Sequence, residues 1–157
     1  MGKGRRTTTL ILLALGLLLR CESSSPSLLQ QIQSWESEAF VGDSIRVDMR
    51  QKLLVGYADL ARLHPDDPFV PEALFRRADL LISAGKYEHA LLQLQNLHEG
   101  HPGYEKRATC AFLVGFVYHE HLKDPVLAKR AYERVMVLHP ATPEAVLAEQ
   151  SLASMAK

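Results

Sequence analysis

The chain has 157 residues, 47% of them apolar and 7% aromatic, which is one domain with appendages and enough apolar material for a packed core. Its 18 basic and 18 acidic residues cancel, but Lys3, Arg5, Arg6 and Arg20 all precede Cys21, and without that stretch 14 basic residues face 18 acidic ones, a net charge of −4. Nucleic-acid binding needs a basic face, and this balance argues against it.

Residues 1–20 read as a secretory leader. Lys3, Arg5 and Arg6 form a charged start, and Leu10 to Leu19 is apolar apart from Gly16. The run is shorter than the about 20 residues a bilayer span needs; the alternative is a short uncleaved membrane anchor. Cys21 follows at once in Leu18-Leu19-Arg20-Cys21, and the polar Glu22 to Pro26 stretch comes next. This junction resembles a bacterial lipoprotein signal, with Arg20 standing where that signal carries Gly, Ala or Ser. The resemblance implies an exported protein whose Cys21 is lipidated and becomes the mature N-terminus. Its acyl chains, palmitate among them, would hold the membrane at about 0.8 kcal/mol per buried methylene. Residues 21–27 are then the lipidated cysteine and a flexible linker. With Cys21 so used, Cys110 has no partner and no disulfide is expected; Cys110 reads as a small packing residue at a helix start.

A helix is expected from Pro26, with Leu28, Ile32, Trp35 and Ala39 as its stripe, Leu29 and Phe40 beside it, and a break at Gly42-Asp43-Ser44. A longer helix runs from about Arg46 to Leu63, with Val47, Leu54, Tyr57, Ala58 and Ala61 marking the buried side and Met49, Leu53 and Leu60 alongside. Residues 28–66 thus form a degenerate N-terminal helical hairpin. Residues 67–157 hold two better-formed units and a last helix. The first unit has a helix from Pro71 to about Ala84, a turn at Gly85, and a helix from Lys86 to about His98. The second has a helix from near Tyr104 to about Leu122, with Asp124 capping a helix that starts at Pro125 and reaches about Leu138. Thr142-Pro143 repeats that start device for a closing helix with Ala145, Ala148, Leu152 and Met155 on one face.

The units share a period. His64-Pro65, His101-Pro102 and His139-Pro140 place their prolines 37 and 38 residues apart. Before each proline the same pattern recurs, as Leu53/Tyr57/Leu60, Ala90/Leu94/Leu97 and Ala128/Tyr132/Val135. Spacings of four and three put each triplet on one helix face, and a fixed period of this size points to a helical solenoid.

The pattern resembles the tetratricopeptide repeat family over roughly residues 45–155. The first unit supplies Ala78, Leu81, Gly85, Tyr87, Ala90, Leu94, Leu97 and Pro102. The second supplies Gly115, Tyr118, Ala128, Tyr132, Val135 and Pro140, with one extra residue expected in its inner turn near Lys123-Asp124-Pro125. Both exceed the usual repeat of about 34 residues, and Leu74 and Ala111 stand where the family's tryptophan falls. Longer units of this kind resemble bacterial envelope lipoproteins, such as the assembly lipoprotein of the outer-membrane β-barrel machinery and small repeat lipoproteins of Bacteroidota. The resemblance implies an all-α, right-handed solenoid of antiparallel helix pairs. Ala78, Ala90, Gly115 and Ala128 would be its close-packing positions. It implies a protein-binding adaptor facing the periplasm at the outer membrane, or a structural subunit of an envelope assembly complex. First helices would line a groove for a protein or peptide partner through Glu72, Phe75, Asp79 and Ile82, then Phe112, Phe116 and His119, with Arg76 on the rim. Phe75, Phe112 and Phe116 have a second reading as core.

No enzyme site emerges. The sequence has neither a glycine-rich phosphate loop nor a serine elbow, and no cofactor is implied. His98-Glu99-Gly100-His101 and His119-Glu120-His121 lack the i, i+4 spacing of a zinc helix, so no metal is expected. His64, His101 and His139 instead hold one structural position three times, where a partly cationic ring would favour a helix C-terminus.

Overall fold

The structure, a computed structural model, describes residues 27–41 and 44–156; the leader, Arg20, Cys21 and the linker up to Pro26 lie outside them. Seven α-helices follow in order: α1 (Leu28–Ala39), α2 (Val47–Leu63), α3 (Val70–Ser83), α4 (Tyr87–Gly100), α5 (Arg107–Phe116), α6 (Pro125–Leu138) and α7 (Pro143–Met155). Between α1 and α2, β1 (Phe40–Val41) and β2 (Ser44–Ile45) make a two-residue antiparallel pairing. The described chain is otherwise helices and their connections, so the fold is all-α. Phe40, expected beside the α1 stripe, has left the helix for this pairing.

Helix ends are where the repeat is most visible. His64, His101 and His139 each follow the last residue of α2, α4 and α6, with φ between −134 and −125° and ψ between 49 and 72°. A residue before proline is pushed out of the right-handed helical region, so the helix must stop there. Each histidine N–H still donates four residues back, to Leu60, Leu97 and Val135. Each histidine carbonyl then accepts from the residue three further on, Asp67, Tyr104 and Thr142, with the proline in the second position of the turn. Helix starts are as regular: Asp124 accepts from the N–H of Val126 and Leu127, Thr142 Oγ1 accepts from Ala145 N–H, and Pro71, Pro125 and Pro143 sit in first turns.

Each helix packs chiefly on its neighbours in sequence, with α7 also reaching back to α5. The core is accordingly a series of local clusters. Ile32 and Ala39 meet Met49, Leu53, Tyr57 and Leu60 of α2 and Ala73 of α3. Leu54, Leu81 and Ala90 join α2, α3 and α4. Ala78, Leu94, Leu97 and Cys110 join α3, α4 and α5. Ala128, Tyr132, Val135 and Ala148 join α6 and α7 over Ala111 and Phe112. All three triplets from the sequence are buried.

Three expectations need correction. Val47 is 76% exposed, and Ala58 and Ala61 are only half-buried. The α2 stripe is Met49, Leu53, Tyr57 and Leu60, while Leu54 turns to a second apolar side facing α3 and α4. The helix expected from Tyr104 begins at Arg107, because two successive turns, Tyr104 N–H to His101 O and Arg107 N–H to Tyr104 O, come first. The extra residue of the second unit is not in its inner turn. It lies upstream, in a π-helical turn over Val117–His121, closed by Leu122 N–H bonding five residues back to Val117 O.

The reason is visible in the turns. Gly85 has φ +71°, and the bonds Gly85 N–H to Ile82 O and Lys86 N–H to Leu81 O close α3 in a Schellman motif. Lys123 takes the same left-handed conformation at φ +53°, at about 1–2 kcal/mol for a residue with a Cβ. The turn is thus kept, and the surplus residue is absorbed by the helix before it.

Candidate functional site

The residues expected to line a first-helix groove fall into two groups. Glu72 and Phe75 lie on α3 beside the α4–α5 connection. Glu72 accepts from Arg76 Nε at 2.9 Å, Tyr104 Oη at 2.7 Å and Lys106 Nζ at 2.8 Å. Arg76 also reaches Glu36 of α1 at 2.8 Å, and the Tyr57 hydroxyl donates to the same carboxylate. Burial raises the Glu72 pKa, but the bonds from Lys106, Tyr104 and Arg76 more than reverse this and hold it at about 2. Burial and the Glu72 carboxylate push the Tyr104 hydroxyl far above its ordinary range. Lys106 Nζ sits 5.0 Å from the centre of the Phe75 ring, and Tyr104 packs tilted against it. Glu72 is therefore the hub of a charged ladder running from α1 through α3 to the threshold of α5.

Phe112 and His119 form the second group. Both rings approach Tyr132, at 5.5 and 6.2 Å between centroids, and Phe112 is packed onto the α6–α7 cluster. Phe116 lies edge-on to His121, which stacks on Tyr87. Asp79 is exposed and belongs to neither group. The close-packing positions Ala78, Ala90, Gly115 and Ala128 are all buried. Gly115 is the tightest: a Cβ there would stand 2.6 Å from the Tyr132 ring.

Two further concavities were not foreseen, and they occupy equivalent places. One lies between α2 and α4 over α3, holds about 440 Å³ and is lined by Leu54, Ala58, Arg77, Leu81 and His89 among others. The other lies between α4 and α6 over α5 and holds about 270 Å³. Its lining includes Gln95, Val114, Tyr118 and Leu127, which are Ala58, Arg77, Leu81 and His89 displaced by 37 or 38 residues. In the first groove Arg77 donates to Leu54 O at 3.1 Å and to Gln93 Oε1 at 2.8 Å. In the second, Val114 and Ala131 stand where Arg77 and Gln93 would be, and Arg130 and Arg134 stand where the previous unit has Leu92 and Asn96. Sliding the sequence over itself by one period exposes this exchange.

His98 closes one side of the second groove. It is 6% exposed, and its Nε2 lies 2.9 Å from Nε2 of His139, with the rings perpendicular. One ring donates and the other accepts, so the bond requires that they not both be protonated. Burial, then the Arg107 guanidinium, lowers both pKa values, with Arg134 adding to this at His98. At His139 the shift therefore runs against the partly cationic ring expected at that helix end. Arg107 Nε donates to the His98 carbonyl at 2.7 Å.

Cys110 is buried, and burial pushes its thiol up to about 12, so it stays protonated. Among the described residues no group of three or more His, Cys, Asp or Glu side chains is placed to hold a metal, and no helix is long and apolar enough to cross a membrane. No protein-family model and no curated protein matches the chain.

Proposed function

We propose that this protein is a non-catalytic, tetratricopeptide-type adaptor, exported by its leader and tethered to the cell envelope through lipidated Cys21. On this reading it faces the periplasm from the outer membrane, takes no cofactor, and holds a protein or peptide partner. The observation that carries it is the thrice-repeated helix end at His64, His101 and His139, with its identical backbone bonds. Units closed the same way stack in sequence and leave a face of first helices beside grooves of second helices. Right-handed winding of antiparallel pairs is the geometry such a stack would take. Partner contacts would come from the first-helix side at Phe75, Asp79, Phe116 and His119. Glu72 holds that side rigid, and Phe112 supports it through Tyr132.

The test is the intact mass of the membrane-extracted protein beside a Cys21→Ala form, followed by photocrosslinking from positions 75, 79 and 116. A chain beginning at acylated Cys21 and crosslinking to one envelope protein supports the reading. An unmodified chain that keeps residues 1–20 removes the lipid tether. Crosslinks no richer than from the buried position 94 remove the adaptor face.

One observation favours the alternative, a fixed subunit of an envelope assembly complex. Val137, Leu138, Val146 and Leu147 are all exposed around the α6–α7 corner, from 46 to 77%. A permanent partner would cover such a corner. Sedimentation of the extracted protein as a free monomer would count against this second reading.

A further inference from the structure

The second groove carries polar groups that bind no other described residue. Among the described residues, the Gln95 amide, the Tyr118 hydroxyl and the Arg130 guanidinium make no hydrogen bond or ion pair. Arg134 has only Glu99, at 3.5 Å, with both side chains more than 60% exposed; such a pair contributes little. Arg130 and Arg134 are one turn apart on α6, where like charges disfavour the helix. Beneath them the floor is apolar, formed by Ala111, Val114, Leu127 and Ala131. The mouth therefore has a cationic excess over a dry floor.

We propose that this groove docks an extended acidic peptide segment, which seats one apolar side chain on Val114 and Ala131 and sets flanking carboxylates against Arg130 and Arg134. Charge complementarity decides the occupant: planar guanidiniums match carboxylates in forked geometry. The free Gln95 amide and Tyr118 hydroxyl suit the polar backbone of an extended chain. Size agrees. About 270 Å³ is below the roughly 300 Å³ at which small-molecule sites begin, and it suits one or two side chains. The site goes beyond the adaptor face proposed above: it opens between α4 and α6 and needs neither the Cys21 anchor nor Phe75.

The experiment is fluorescence anisotropy of a labelled acetyl-Glu-Glu-Leu-Glu-Glu amide titrated with the full chain in neutral detergent. Two control peptides carry Lys for every Glu, or Ser for the Leu. The acidic peptide should bind at micromolar protein, and both controls at least about tenfold more weakly. Arg130→Glu, at an exposed position, should weaken the acidic peptide about tenfold and lower its salt dependence. Val114→Arg with Ala131→Gln transplants the hydrogen-bonded pair of the first groove and removes the apolar seat, so the preference for the Leu peptide over its Ser control should be lost. Equal binding of all three peptides overturns the proposal, as does undiminished binding to Arg130→Glu, or no binding up to millimolar protein. If the double variant does not fold, Arg130→Glu decides alone. Crosslinking from position 79 is unaffected by either variant, so failure here leaves the adaptor face standing.

Discussion

The α2–α3–α4 and α4–α5–α6 layers share a backbone plan and differ in what they enclose. Ala78 beside Leu94 becomes Gly115 under Tyr132. Arg77 with Gln93 becomes Val114 with Ala131. Ala61 and His101 become the bonded pair His98 and His139. Even the surface ties follow: Glu72 with Lys106 is matched, one period on, by Thr109 donating to Glu144 at 2.7 Å. In each case both members of a pair change together. The repeat therefore keeps the backbone and the places where pairs meet, while the volume, the hydrogen bonding and the chemistry of each pair vary together.

The sharpest way to break this comparison is at Gly115. Gly115→Ala drives a Cβ into a fully buried ring and should cost about 3 kcal/mol, the upper end of ordinary overpacking. Adding Tyr132→Leu recreates the Ala78–Leu94 contact of the first layer and should recover at least half of that loss in urea unfolding. If the double variant is no better than the single, the two layers are not interchangeable at this contact.

Next in size is Glu72. Glu72→Gln keeps the shape but removes the charge that accepts from Lys106, Tyr104 and Arg76, and should cost about 2 kcal/mol. The acid limb of stability follows with a definite sign. The folded pKa is depressed from 4.5 to about 2, so this contribution is complete above 4.5 and is lost as pH falls towards 2. The Gln variant should flatten the stability profile over that window. Thr109→Ala, at the equivalent tie, should cost less and leave the acid limb in place.

Much of this was legible in advance. The proline-stopped triplets fixed the helices and most of the core because a period of 3.6 and a blocked N–H are local facts. Val47 misled because α2 has two apolar sides, and spacing alone cannot say which neighbour lies on each. The extra residue was misplaced because the left-handed turn at Lys123 is costly to change, while a π turn inside a helix has no sequence mark. The His98–His139 bond joins residues 41 apart, and nothing local announces it. Glu72 reads in the sequence as a groove residue, yet its partners Tyr104 and Lys106 come from a connection whose path only the folded chain reveals.

Arg77 supplies a smaller test. Arg77→Val removes the bonds to the Leu54 carbonyl and Gln93, and should cost about 1 kcal/mol. Arg77→Val with Gln93→Ala installs the second layer's floor in the first groove, and should be closer to wild type than the single change. The same double variant would give the first groove an apolar floor without arginines at its mouth. It should therefore not acquire binding of the acidic peptide, which separates the contribution of the floor from that of Arg130 and Arg134.

The smallest expected effect is the pH response of the histidine pair. Facing it are Arg107 of α5, Arg134 of α6, Glu99 of α4 and Glu144 of α7, and the net result is a lowered pKa on both rings. A lowered folded pKa means that the unfolded chain binds the proton first. The pair's contribution is therefore complete above the ordinary value of 6.5 and declines as pH falls below it. The first proton leaves a charge-assisted bond between the rings; the second leaves two donors facing each other at 2.9 Å. Unfolding measured at about pH 7.5 and about pH 5 should show a loss that His98→Ala reduces, since His139, lowered by burial and Arg107, then remains without its bonded partner. This window lies above the one set by Glu72, so the two acid responses separate. A profile that stays unchanged in His98→Ala would mean that the rings titrate independently, and that the bond between them does not tie α4 to α6.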